Sequence, residues 1–277
     1  MTIFAIILIS TAGVKSLLMP ASPVGVTTSF AVASNEEAIF YNPANFEARD
    51  NFTFNCSYNR FYLGMQSVSL SLTRKIKSID FGLGIVNFDY GDIEWRPDYP
   101  TDDPTIDYRA YDFSIILGAS VNVSSRGRIG VNLKYITENI YVYSDYALAM
   151  DVAFAYRTPT SGLSFGATNF GTKMLIHNDE VNLPACLSIG GFQRIKKFTL
   201  SGDLHYLVND AAFEFSIGGS LPIHQRIALS AAVNYRDEFY PGFGVAIKAG
   251  GLLIKYGGSF FPKNLGMVNN LGIGIGL

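Results

Sequence analysis

Charge is scarce in this chain. Lys, Arg, Asp and Glu make up 16% of its 277 residues and sum to a net charge of −2, which excludes the basic footprint of a nucleic-acid binder. Long apolar runs are missing too. Beyond the amino terminus no stretch reaches the roughly 18 consecutive apolar residues that a membrane-spanning helix needs. Cysteine is limited to Cys56 and Cys186, in separate strand candidates, so neither a metal pattern nor a disulfide framework exists; both are expected to be small buried thiols. Of three histidines, His177 and His224 fall in connections, too dispersed for a metal site. No phosphate-cradling loop is present, because the glycines of "GIGIG" near the end alternate with apolar residues and no helix follows. No metal and no cofactor is expected.

What the chain has instead is grease in alternation. Hydrophobic residues make up 48% and aromatics 14%, with 27 glycines. In "YALAMDVAFAYR" (146–157), Tyr146, Leu148, Met150, Val152, Phe154 and Tyr156 point one way, and four alanines with Asp151 point the other. "YDFSIILGASVNV", "FTLSGDLHY" and "LGIGIGL" repeat the arrangement. A soluble sandwich would show water a polar face, not an alanine and glycine face. A transmembrane barrel turns its large apolar set to lipid and its small set to a crowded lumen.

Strand follows strand from about residue 51, with no helix-period stretch between them. The pattern predicts fourteen: 51–60, 66–74, 79–89, 109–123, 128–142, 146–157, 162–169, 184–194, 198–207, 211–220, 227–236, 242–249, 252–260 and 269–277. An even count closes an antiparallel barrel and spares it an unpaired edge in lipid. The links separate into two sets. One set is brief and basic, with Arg74, Lys75 and Lys77, then Arg126 and Arg128, Arg157, Arg194 with Lys196 and Lys197, and Arg226. The other includes the longest and is acidic, above all 91–110, then 171–183 and 236–242. Short turns on the periplasmic side and longer loops outside are what such barrels require.

Charge inside strands belongs in the lumen, since an outward Arg or Lys at the bilayer midplane costs about 2–4 kcal/mol. Asp112, Asn132, Lys134, Asp151, Asp203, His205, Glu214 and Lys255 fall on the small-residue face and are expected to line the interior. Ser201, Asp203 and His205 share that face, but neighbours at spacing two on a strand stand about 7 Å apart; a hydrolytic triad is therefore disfavoured and no catalytic residue is assigned. Trp95, within the acidic 91–110 link, is expected to contact cargo or a partner, or to pack as a lid. The apolar run in residues 1–22 resembles a signal peptide with cleavage after Ala12 or Ala21.

The stretch "ASNEEAIFYNPANFEA" (33–48) resembles the segment before the first strand of PorV/PorQ-like outer-membrane proteins, barrels related to the FadL transporters; Asn42, Pro43 and Ala44 match their Asn-Pro-Ala motif. "FGLGIVNFDYGDIEWR", "GVNLKYITENI", "YALAMDVAFAYRT" and "GATNFGTKM" follow in the same order. The resemblance implies an all-β fold, a fourteen-stranded transmembrane antiparallel barrel over 51–277, with residues 23–50 folded into the lumen as a hatch. It implies a non-enzymatic protein of the bacterial outer membrane that docks cargo for type IX protein secretion. The alternative is a FadL-like passive transporter of hydrophobic small molecules. Outer-membrane lipid, secreted proteins and hydrophobic small molecules are the partners expected.

Overall fold

The structure is a computed structural model that describes residues 14–19, 21–22, 27–33, 37–95, 104, 106–261 and 265–276. In chain order the strands are β1 (Thr53–Arg60), β2 (Gln66–Ile76), β3 (Ile79–Trp95), β4 (Ile106–Asn122), β5 (Gly127–Ile140), β6 (Tyr143–Arg157) and β7 (Ser161–Gly171). A small hairpin follows, β8 (Met174–Ile176) and β9 (Asp179–Val181), and then β10 (Cys186–Ile195), β11 (Phe198–Leu207), β12 (Ala212–His224), β13 (Ile227–Arg236), β14 (Glu238–Ala249), β15 (Leu252–Phe261) and β16 (Gly266–Gly276). All but the hairpin form one closed antiparallel ring of fourteen strands, sealed where β1 meets β16, from Thr53↔Gly276 to Arg60↔Asn269.

The alternation in sequence becomes two faces of this ring. In β6, Leu148 is 53% exposed and Met150 47%, whereas Ala147 and Ala155 are 0% and Asp151 is 2% exposed. Large apolar side chains stand outward on every barrel strand, and Leu72, Leu83, Leu117, Leu133 and Met150 are register partners in a row across β2 to β6. That band faces acyl chains. Replacing Met150 by arginine is expected to cost about 2–4 kcal/mol, read by urea unfolding in phospholipid vesicles. A change near zero would place Met150 away from the bilayer middle.

Two acidic links are largely strand. Asp92, Ile93, Glu94 and Trp95 pair with Arg109, Tyr108, Asp107 and Ile106 beyond a bulge at Asp89/Asp92, so β3 and β4 extend past the expected ends. Residues 96–103 and 105 of that link lie outside the described residues. Likewise β14 starts at Glu238 instead of 242, after a single turn residue, Asp237, in the left-handed region at φ 61°. Acidic and proline residues read as breakers, but at the outer rim a strand carries them because its side chains meet water or the lumen there. Cys186 is buried, as expected; Cys56 departs from expectation, standing half-buried on the outward face of β1.

Candidate functional site

The lumen is occupied by the amino-terminal segment, and its backbone is fitted to the wall atom by atom. Short helical turns at Ser29–Val32 and Ala38–Tyr41 lead to a 3-10 turn at Pro43–Asn45. Asn42 supplies the cap of that turn, its Oδ1 accepting the Ala44 N–H at 3.0 Å, and Pro43 starts the turn, where its missing N–H costs nothing. The Nδ2 groups of Asn42 and Asn45 both donate to the Phe30 carbonyl, at 3.0 and 2.9 Å, which folds the segment back on itself. Ala44 is 0% exposed and packs against Ala153 and Ala155. Gly130 lets this happen: a β-carbon there would overlap the Pro43 carbonyl. Gly166 makes the same allowance for the Phe30 ring, and Gly190 for the Asp203 carboxylate beneath Phe30 and Ala31.

Some inward polar side chains hold this segment by its backbone, and others brace one another. Asp203 accepts the N–H groups of Phe30 and Ala31 at 2.9 and 2.7 Å. Asn132 donates to the Ile39 carbonyl at 2.9 Å and also to Asp151 at 2.9 Å. Asp151 pairs with Lys134 at 2.8 Å, and Lys134 donates to the Asn169 Oδ1 at 2.7 Å. Asn169, left-handed at φ 59°, sits in a bulge of β7 opposite Met150/Val152, and its N–H reaches Asp151 at 2.8 Å. Lys255 forms an ion pair with Glu37 of the segment, and Glu214 pairs with Arg236, which donates to the Leu18 carbonyl at 3.3 Å. Asp112 accepts the Tyr90 hydroxyl at 2.7 Å.

Ser201, Asp203 and His205 do not form a relay. Ser201 Oγ lies 2.5 Å from the Thr28 hydroxyl, Asp203 is committed to the two backbone groups, and His205 Nδ1 is 2.7 Å from Ser188 Oγ. Trp95 closes β3 opposite Ile106, and its side chain lies outside the described residues.

Arg128 is the strongest contact that the sequence reading missed. Its guanidinium donates to the carbonyls of Ala44 and Phe46, to Ser120 Oγ, to Asn122 Oδ1 and to Asp80, the last at 2.6 Å. Grouped with Arg126 it reads as a turn residue. Its parity with Gly130, Asn132 and Lys134 is the signal that places it inside.

Toward the side of the long loops, between this segment and β10–β15, a cavity of about 150 Å³ remains. Leu17, Met19, Phe40, Tyr240 and Phe261 give it apolar walls; His205, Glu214 and Arg236 add polar groups. Tyr41 also borders it. Burial pushes the Tyr41 phenol up, so it stays protonated, and it accepts the Ser22 N–H at 2.9 Å.

No family model matches the sequence, and neither does any curated protein. Solved structures do match. The toluene transporter TbuX of Ralstonia pickettii aligns with a TM-score of 0.68 at 11% identity, over 92% of this chain and 98% of that one. The toluene transporter TodX of P. putida gives 0.66 at 12%, over 94% and 99%. A FadL homologue of Pseudomonas aeruginosa gives 0.62 at 11%, over 93% and 99%. Identity this low speaks for the fold alone: the chain is similar in architecture to the FadL-type outer-membrane transporters.

Proposed function

We propose that this protein is a passive route for a small hydrophobic molecule across the bacterial outer membrane, with residues 23–50 serving as its hatch. The observation that carries this reading is the cavity under the long loops, bounded on one side by the wall and on the other by Leu17, Met19 and Phe40 of the amino-terminal segment. The lining mixes apolar side chains with about as many polar groups, so one part can wall in a small apolar molecule while the other fixes its orientation. The structural neighbours named as toluene transporters support a monoaromatic hydrocarbon as the first substrate to try.

Expressed in cells whose outer membrane bears lipopolysaccharide, the chain is expected to raise uptake of radiolabelled toluene. Ser259→Phe, which puts a ring into the cavity from β15, is expected to return uptake to background. Uptake that is the same with and without the protein would overturn the reading. A second reading, docking of secreted proteins as the PorV/PorQ resemblance implies, is favoured by the filled centre of the lumen. Loss of protein export on removing residues 96–105, with toluene uptake intact, would support it instead.

The same reading bears on processing. Val14 packs against Ile136, Ala147 and Met174, and residues 17–19 line the cavity. Cleavage after Ala12 preserves those contacts, whereas cleavage after Ala21 removes them. Intact-mass measurement on protein from outer membranes is expected to show a chain beginning at Gly13.

A further inference from the structure

The outward face of β2 to β5 carries a feature that passage through the lumen does not use. Next to the row of leucines, on the side of the short turns, lies a second row of register partners, Arg74, Phe81, Ala119 and Val131. The Ala119 methyl between two larger side chains leaves a notch. An apolar groove of about 530 Å³ opens there, reaching from Leu117 and Leu133 down to Ile76 and Phe52.

Arg74 stands at the lower end of this groove. It is exposed, and its guanidinium lies 4.7 Å from the centre of the Phe52 ring, a cation–π contact that holds the charge at the edge of the apolar band. It shares outward parity with Leu70, Leu72 and Ile76. Among the described residues no other Lys or Arg in the short-turn half of a barrel strand has that parity. The stretch alongside is cationic: Arg49, whose carbonyl accepts the Lys75 N–H at 2.7 Å, with Lys75 and Lys77, against Glu47 and Asp50. An arginine facing lipid gains from an anion at headgroup depth, and a groove beside it offers room for a chain.

We propose that this groove binds one phospholipid with an anionic headgroup, its phosphate on Arg74 and an acyl chain laid across Ala119. The occupant belongs to the leaflet at the short turns, which is periplasmic in barrels of this build. Charge selects the headgroup, since each basic residue near a membrane surface favours anionic lipid; the notch selects for a chain beneath it.

Native mass spectrometry of the full chain, released from detergent after adding phosphatidylglycerol or phosphatidylcholine with matched acyl chains, tests this. The wild type is expected to retain one phosphatidylglycerol with a preference of about five-fold, the factor one basic residue supplies at an anionic surface. Arg74→Gln is expected to hold the two lipids alike, and Ala119→Phe, which fills the notch, to hold neither. Excess inorganic phosphate is expected to leave the bound lipid in place. Equal retention by the wild type, a preference that survives Arg74→Gln, retention by Ala119→Phe, or displacement by phosphate would each overturn the proposal. Both substituted positions face lipid, so neither change disturbs the lumen, and gel mobility of the unheated protein verifies that the ring has closed.

Discussion

A Gly130→Val variant is expected to form the barrel but lose the seat of its amino-terminal segment, so that residues 37–50 become open to protease and ion conductance rises. The cause is steric and local. The Pro43 carbonyl and the Ala44 N–H occupy the place of the missing side chain, and backbone, unlike the end of a flexible side chain, has no alternative rotamer. Overpacking a well-fitted site costs about 1–3 kcal/mol and occasionally more, and moving the segment is the cheapest relief because the ring around it is fixed by its ladder. Gly251→Ala is the control: a β-carbon there meets nothing within 4 Å, and protection and conductance are expected to match the wild type. A protected, non-conducting Gly130→Val protein would show that the segment does not rest on β5.

Arg128→Met is expected to destabilise the protein by about 3–5 kcal/mol, the usual result of stripping a buried charge of its partner. Asp80 has a side chain only 3% exposed and would be left without the guanidinium 2.6 Å away. The Ala44 carbonyl would lose its donor as well, and the Phe46 carbonyl would keep only the Ser120 hydroxyl. The double variant Arg128→Met with Asp80→Leu separates the two roles. Removing both charges is expected to restore most of the stability to urea, because a buried pair often does no better than apolar residues of like size. Protease sensitivity of residues 37–50 is expected, since the Ala44 carbonyl stays without its donor and the Phe46 carbonyl keeps only the Ser120 hydroxyl. If the double variant also protects the segment, the ion pair and not the fork to the carbonyls is what holds it.

Period-two alternation carried most of the fold, because in lipid both faces of a strand are under selection by their surroundings: one must be greasy and the other small enough to fit a ring interior. That is why the number and order of the long strands were legible, and why Leu148 and Met150 were placed outward from spacing alone. Strand ends were less legible. At the outer rim neither lipid nor a tight lumen constrains the side chains, so Asp92, Glu94 and Glu238 look like loop residues while their backbones remain paired. Parity alone put eight polar residues on the small face, and what they meet there was hidden. Asp203 and Asn132 meet main-chain atoms of a distant segment, the N–H groups of Phe30 and Ala31 and the carbonyl of Ile39, and a backbone group leaves no mark in a sequence; the rest meet side chains of other strands or, for Lys255, Glu37. The cavity was hidden for the same reason, being the space left over after the segment is seated.

One consequence concerns how such a molecule is put together. The lumen filler directly precedes β1 in the chain, and β1 is half of the seam, β1 against β16, that shuts the ring. A filler that sits beside the seam in the chain can be cradled while the ring is still open, and the barrel then finishes by wrapping around it, as a cooper tightens staves around a core.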